Sequence, residues 1–586
     1  MAPNGHTASD GRKRVLVVGA GAAGMSTAYH LSQHPDKFDV TLIDAADYCG
    51  GQAFSIPLDE SCHGASWCNQ GVQGGSYVFH HTLTMFHRQG FRADPVNLQV
   101  SFGKGDTFWT NVYPTQLLVH HQKQVRRLPM VLKAMRWFEL FFAILPLRFV
   151  LKLFGFSKDF INTVALPMTA LFLGTGNATP EVPAVMFERL CTSPTYGMWY
   201  ELDKNTVLSS RPPMVAFPNL SQFYDTWRGD LERRGVSIRL STELIEIVRR
   251  NKHGVVVRLQ TGTVVPDGRS QSGGDPDSPI SEEVYDEIVL CCLADAAKKV
   301  LGREATWREK TVLGSAKFSD DVTITHTDAE YMERHYENFY REDLAVAEIN
   351  GVDYAPRLEY ATEHFCPMYY IKSYEEDGSK LEMSFDTTNY QSQFPDRMPF
   401  QQHVFQTIYL NKTRDRKLWK KDDIRRDKII REDWWHQLCH TYTHYLFVVP
   451  WMRFLQARNH TRFAASWTLV NAHEVAMVSG IAAAVDLGAE YPEDLENDGF
   501  AFLCFRLYYL LAYGKWYRRR FTGDQRGSAT PAAREGYGWG TGVSGSVYEG
   551  PGVSTAEGET WREERESGAS TNDLANARRR TTHQSA

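Results

Sequence analysis

The stretch Arg14-Val15-Leu16-Val17-Val18-Gly19-Ala20-Gly21-Ala22-Ala23-Gly24 decides how this chain folds. A β-branched run ends at Gly19, and a helical pattern runs from Ala22 to Gln33. A strand that feeds a glycine turn opening a helix is the start of a βαβ unit. Gly19 permits the tight turn, Gly21 lets the backbone approach a pyrophosphate, and Gly24 allows close helix–strand packing. The first-turn N–H groups, at Ala22, Ala23 and Gly24, and the helix dipole then face the phosphates with no cationic side chain required.

Glycines alone would be weak evidence, but the pattern continues. A second strand, Phe38 to Ile43, ends at Asp44, about 20 residues after the last glycine, where a carboxylate accepts ribose hydroxyls. Gly50-Gly51 follows closely. An acid followed by such a pair resembles the extended motif of two-dinucleotide-binding-domain flavoproteins, in which the backbone after the pair nears the pyrophosphate and flavin. That resemblance implies FAD rather than NAD, with Gly51 and Gln52 beside it.

At 586 residues the chain exceeds one compact core. A hydrophobic fraction of 42% with 12% aromatics is that of a globular protein, and a net charge of −6 gives no footprint for nucleic acid. The nine scattered cysteines read as reduced thiols rather than a disulfide framework. Residues 1–14 are polar and basic without an apolar core, so a secretory signal is not expected, and a cytoplasmic location is. Leu140 to Leu147 is the longest uncharged part of the greasiest region, far short of the ~20 residues of a membrane span.

Further along, Val119 to Leu173 reads as apolar helices broken at Pro129, Pro146 and Pro167. Gln222 to Arg234 reads as a helix, Val236 to Leu240 as a strand, and Glu243 to Gln260 as a hairpin turning at Asn251 to Gly254. Pro266 to Ser281 reads as a surface loop, and the Gly/Ser/Thr/Arg/Glu-rich tail beyond Thr522 as disordered.

Several segments together resemble the FAD-dependent amine oxidase superfamily, which includes phytoene-desaturase-like and protoporphyrinogen-oxidase-like enzymes. The segments are the glycine turn, the hairpin with Leu244, the strand Asp286 to Leu290, and Phe463-Ala464-Ala465-Ser466-Trp467 with Asn471-Ala472-His473-Glu474 and Ser479-Gly480. Phe156 to Gly174 around Leu166-Pro167-Met168, Thr325-His326-Thr327-Asp328, and Trp467 with His473-Glu474 narrow the match: they resemble its amine-oxidase-like predicted NAD/FAD-binding oxidoreductases. The resemblance implies that the Leu244 backbone holds adenine and that Trp467 and Glu474 lie at the flavin. It also implies that a helix beginning near His473 points its dipole at the ring. Ala465-Ser466 stands where many members carry Gly-Asp, and Gln52 where many carry Arg or His.

The expected fold is α/β, a discontinuous Rossmann-like FAD-binding domain with an inserted mixed α/β substrate domain. The expected segments are 12–110, 206–318 and 456–495 for the FAD domain, 111–205 and 319–455 for the substrate domain, 496–522 for an amphipathic helix and 523–586 for the tail. The expected chemistry is hydride transfer from a small apolar or amine-bearing substrate to the flavin, reoxidised by oxygen or another acceptor. A redox-neutral isomerase or desaturase of a lipid or polyene, and an inactive flavoprotein scaffold, remain alternatives. His473 is the candidate catalytic side chain, and His326, Tyr369 and Tyr370 are candidates for the substrate pocket. His80-His81 and His120-His121 show no acidic partner at metal-ligand spacing, so no metal is expected. The basic, apolar stretches 126–158 and 502–520 read either as packed helices or as a membrane-surface contact.

Overall fold

The computed structural model describes residues 11–173, 176–193, 197–199, 202–208, 211–262, 279–520 and 552–554. Its organising element is a five-stranded parallel sheet. The strands lie in the order Ser237–Arg239, Phe38–Ile43, Lys13–Val18, Glu287–Leu290, Thr461–Phe463. The central strand is covered on both faces, which is why it is apolar throughout rather than alternating. Val15 and Val17 face the helices Ala22–Ser32, Leu220–Arg233 and His473–Leu487. Leu16 and Val18 face an antiparallel meander of Thr242–Asn251, Gly254–Thr261 and Ile280–Tyr285. Three stretches far apart in sequence therefore build one dinucleotide-type domain, as the glycine turn and the later strands imply.

Two helices meet unusually closely behind the turn. A Cβ on Gly480 would overlap the carbonyl oxygen of Ala23, and the Ser26 hydroxyl donates to the Met477 carbonyl at 3.0 Å. Helix Ala22–Ser32 is buried over every residue, so its small side chains serve contact rather than amphipathicity.

The second domain is a seven-stranded sheet in the order Ile429–Leu438, Phe318–His326, Phe405–Tyr409, Leu381–Asp386, Tyr369–Ser373, Val100–Phe102, Trp109–Thr110. Its neighbours are antiparallel except Tyr369–Ser373 with Val100–Phe102. The sheet thus recruits two short strands that lie before the expected boundary at residue 110. They are too short to show alternation, and their pairing is long-range. Helices between Gln116 and Thr192 cover one face of this sheet through a core that includes Phe102, Trp109, Leu128, Leu132 and Ile371.

Pro129 does not break its helix, contrary to expectation: Gln122–Trp137 runs through it. Proline inside a helix costs about 3 kcal/mol. Burial of Val125, Leu128, Val131, Leu132 and Met135 on the inner face, about 1.5–3 kcal/mol for each large side chain, outweighs it.

Helix Gly499–Tyr513 packs on His473–Leu487 and is capped by Asp498, which accepts from the Phe500 and Ala501 N–H groups. The expected surface loop lies mostly outside the described residues, as does the tail apart from Gly552 to Ser554. Those three are ordered against Ala93, with Ala93 N–H donating to the Gly552 carbonyl at 2.9 Å and Val553 buried, which corrects the expectation of disorder there.

Candidate dinucleotide site

Gly19 adopts φ 107° and its N–H donates to the Ile43 carbonyl at 2.8 Å, tying the turn to the end of the second strand. A Cβ on Gly24 would overlap the Gly19 carbonyl oxygen. Gly21 differs from both. Its φ of −74° is open to any residue, and a Cβ there would have nothing nearer than the Gly50 oxygen at 3.9 Å and Gly51 Cα at 4.0 Å. Packing within the protein does not require this glycine; open space is what it preserves.

The second glycine pair closes the cradle. Gly21 and Gly50 form a parallel bridge, and the Gly50 N–H donates to the Ala20 carbonyl at 2.9 Å. Gly50 and Gly51 have φ 118° and 61°. A side chain at Gly50 would meet the Ala53 carbonyl at 2.5 Å and the Tyr224 ring at 2.8 Å. Helix Ala22–Ser32 starts between these loops with no side-chain cap and no acid in its first turn, so its N–H groups and positive dipole end suit an anion.

Asp44 accepts from Ala20 N–H at 2.6 Å and Ala46 N–H at 2.8 Å, and burial pushes its carboxyl up against the pull of those donors. The carboxylate therefore shapes the glycine turn. The strand carrying Leu244 begins beside it, with Thr242 N–H donating to the Asp44 carbonyl at 2.7 Å. The Leu244 side chain is buried in the core under the meander. Gly19, Gly21, Gly24, Asp44, Gly51 and the start of the Leu244 strand are thus gathered in one place. Gln52 turns from the turn toward the other domain, where its Nε2 reaches the His436 carbonyl at 3.4 Å.

Helix His473–Leu487 begins at Ala472 without a side-chain cap. Its first residues are tied into the domain. His473 is buried between Phe86 and Phe217, with Nε2 2.7 Å from the Tyr224 hydroxyl and Nδ1 3.0 Å from Thr82 Oγ1. Burial lowers its pKa to about 4, so the ring is neutral. The Tyr224 hydroxyl, its own pKa pushed up by burial, stays protonated, so the neutral ring donates from one nitrogen and accepts at the other, between Tyr224 and Thr82. Both ring nitrogens of the expected catalytic residue therefore have protein partners.

Glu474 accepts from His81 and Thr82 N–H groups at 3.0 and 2.9 Å and lies 2.6 Å from His81 Nδ1. Burial works to raise its pKa, but the His81 ring and these donors outweigh it and hold the carboxyl below its ordinary value. Its charge is spent on the N-terminus of helix His80–Arg88. Trp467 is fully buried and donates through Nε1 to the Cys292 carbonyl at 3.0 Å, a core contact.

On the substrate-domain side, His326 is buried, with Nε2 2.9 Å from Thr407 Oγ1 and Nδ1 accepting from Asp328 N–H at 3.2 Å. Burial lowers its pKa to about 3. Tyr370 points into the core, while Tyr369 is half-buried against Phe385 and Tyr390, with ring centroids 4.4 and 5.5 Å away. The structure brings neither His326 nor Tyr370 to an open surface.

Sequence reading missed a row of buried amides joining the two domains. Gln391 Nε2 donates to Gln73 Oε1 at 3.0 Å, Gln73 Nε2 to Gln406 Oε1 at 2.5 Å, and Gln70 Nε2 to Thr325 Oγ1 at 3.1 Å. The row hangs from strand Trp67–Gly71, which pairs with Ala53–Pro57 directly after the Gly50-Gly51 loop. His440 was also missed: its Nε2 accepts from Asn471 N–H at 2.9 Å, just before helix His473–Leu487. Neither set has a sequence signature, because single glutamines and histidines carry no periodicity.

Both histidine pairs do have acidic partners, which corrects the spacing argument. His80 and His81 meet Asp498 and Glu474, each at 2.6 Å, and His121 Nε2 lies 3.1 Å from Asp159. His120, His121 and Asp159 converge closely enough to share a cation. The Gln124 amide donates to His121 Nδ1 at 3.3 Å, however, which places the ring proton on Nε2 facing Asp159.

The family of NAD(P)-binding Rossmann-like domains matches residues 17–88. No curated protein matches the chain by sequence. Solved structures share its architecture. One is assigned as a protoporphyrinogen oxidase, from Exiguobacterium sp. 255-15, at 12% identity and TM-score 0.52. A CLA-producing fatty acid isomerase from P. acnes is 14% identical with TM-score 0.50, and a cyclohexylamine oxidase from Brevibacterium oxydans IH-35A is 11% identical with TM-score 0.50. In each case 81% of this chain and 98% of the other are covered. The chain thus shares the fold of these solved structures. Residues 17–88 match the Rossmann-like domain family, and likeness at these identities speaks for fold alone.

Proposed function

We propose that this chain is an FAD-dependent oxidoreductase that takes a hydride from a small, apolar or amine-bearing substrate. One observation carries the reading: two glycine loops, at Gly21 and Gly50-Gly51, are bridged at the start of an uncapped helix, with space where a Cβ at Gly21 would stand. An NAD site of the simple βαβ kind needs only the first loop. The residues fit FAD at both ends: Gly21 to Gly24 and Asp44 at the adenosine and pyrophosphate, the uncapped start of helix His473–Leu487 at the ring.

Bound there, FAD would supply two-electron acceptance. The chain binds, orients and excludes water. Tyr224 braces Gly50 and orients His473, while Glu474 fixes helix His80–Arg88 behind the loops. The amides of Gln73, Gln391 and Gln406 join the substrate sheet to that frame, and Tyr369 with Phe385 and Tyr390 offers an aromatic wall for an apolar or cationic group. His473 is a positioning residue in this scheme, and no side chain is assigned as a base.

Chemistry without a base also suits a redox-neutral double-bond shift. Anaerobic mixing of the FAD-loaded chain with primary and secondary amines and with unsaturated fatty acids tests the proposal. Bleaching of the flavin, restored by oxygen with peroxide release, supports oxidation. Product without net bleaching or oxidant use would favour the shift. No reduction and no product with any of them would refute both.

A further inference from the structure

Helix Gln122–Trp137 buries one apolar face and turns Lys123, Arg126, Lys133 and Arg136 outward, and the short helices Glu139–Phe142 and Leu147–Leu153 follow it. Val125, Leu132, Phe142, Val150 and Leu151 are buried against the substrate sheet and its helices. The opposite side ends in a protruding tip where Trp137, Phe138, Leu140 and Phe141 are 75%, 62%, 89% and 55% exposed, on the order of 500 Å² of aromatic and aliphatic side chain. A patch of this size is near the upper end of what a monomeric protein leaves in water and often marks a contact surface.

Charge selects what the outside is. Between Gln122 and Lys158 the chain carries eight Lys and Arg and one acid, Glu139, which pairs with Arg189, whereas the whole chain is at −6. Lys133, Arg136 and Lys152 are exposed on the same elements as the tip. A second copy docked through the same face would set these cations against themselves, as a two-fold interface must. An anionic bilayer complements them. No described helix is long and apolar enough to span a membrane. Amphipathic helices with aromatic tips and Lys/Arg flanks lie in the headgroup layer instead.

We infer that the tip formed by Trp137, Phe138, Leu140 and Phe141 inserts into the surface of an anionic phospholipid bilayer, held by the basic residues around it. The inference stands independently of the cofactor. Helix Gly499–Tyr513 offers a second apolar face of similar kind, with Leu503, Leu507 and Leu510 exposed at helical spacing.

The test is co-sedimentation of the full chain with phosphatidylcholine vesicles, with and without phosphatidylserine. Binding is expected to the phosphatidylserine vesicles, at least tenfold stronger than to phosphatidylcholine alone and weakened by salt. Trp137→Ser with Leu140→Ser is expected to cut partitioning at least tenfold while leaving the circular dichroism spectrum and melting temperature unchanged, since both side chains are exposed. Arg136→Glu with Lys152→Glu should do the same through charge. No binding to phosphatidylserine vesicles would overturn the inference, as would binding indifferent to the tip variant. A tip variant that turns a dimer into a monomer without vesicle affinity in the parent would assign the face to a second copy.

Discussion

Gly21→Ala separates the needs of the fold from those of the ligand. At φ −74° and ψ −175° alanine is unstrained, and its methyl would have no protein atom closer than 3.9 Å. Gly→Ala at a permitted position stabilises by roughly 0.4–1 kcal/mol through the unfolded chain, and the weaker N-cap offsets part of that. The melting free energy of the cofactor-free protein should therefore stay within about 1 kcal/mol of the parent. A phosphate oxygen, however, must come to about 2.9 Å from the turn's N–H groups, through the gap the methyl occupies. Losing two charge-assisted hydrogen bonds, about 1.5–3 kcal/mol each, should weaken FAD by at least about 3 kcal/mol, or roughly 100-fold. The assay is titration of the apoprotein with FAD by flavin fluorescence, beside a urea melt. The reasoning fails if Gly21→Ala binds FAD within threefold of the parent, or if it unfolds without any cofactor. Gly24→Ala is the control, since its Cβ overlaps the Gly19 carbonyl and should destabilise the apoprotein itself by several kcal/mol.

Three other outcomes follow from contacts around the site. His436 lies 2.7 Å from Asp295 and 2.5 Å from Asp320, and these carboxylates, Asp295 foremost, raise its pKa to about 9 against the effect of burial. This raised-pKa group contributes fully below about pH 6.5, its unfolded value, and the contribution is lost as pH rises through about 9. Because Asp295 is half exposed, about 1–2 kcal/mol is at stake; the stability gap between parent and His436→Asn should shrink between pH 6.5 and 9.5, and a constant gap would contradict the assignment. His473→Ala strands the Tyr224 hydroxyl and Thr82 Oγ1, and denaturant melts should show a loss of about 1–3 kcal/mol, whereas a parent-like melt would free His473 for another role. Glu309→Gln breaks the buried pair with Arg250, whose Nη1 lies 2.7 Å from Glu309, and should cost about 3–5 kcal/mol in the same assay; a cost under 1 kcal/mol would count against that pairing.

The first fifty residues were legible because their constraints are local: a buried strand, Gly19 and Gly24 whose φ or contacts admit nothing larger, and an acid at a fixed distance. The hairpin around Gly254 and helix His473–Leu487 were readable for the same reason. What stayed hidden depends on distant partners. Val100–Phe102 joins its sheet through Tyr369–Ser373, and Glu474 reaches helix His80–Arg88 across most of the chain. Trp467 looked like a site residue because it sits in a recognisable motif, yet its ring fills the core. The pairing of His121 with Asp159 could not be read either, since helices Gln122–Trp137 and Leu147–Leu153 intervene between them.

The most direct measurement is the visible spectrum of the purified full chain, with the released cofactor identified and counted. The account predicts a yellow protein that carries, or takes up on mixing, about one FAD per chain, and whose Gly21→Ala form stays folded and colourless. A parent chain that remains colourless after refolding with FAD, or that releases only a nicotinamide dinucleotide, would contradict it.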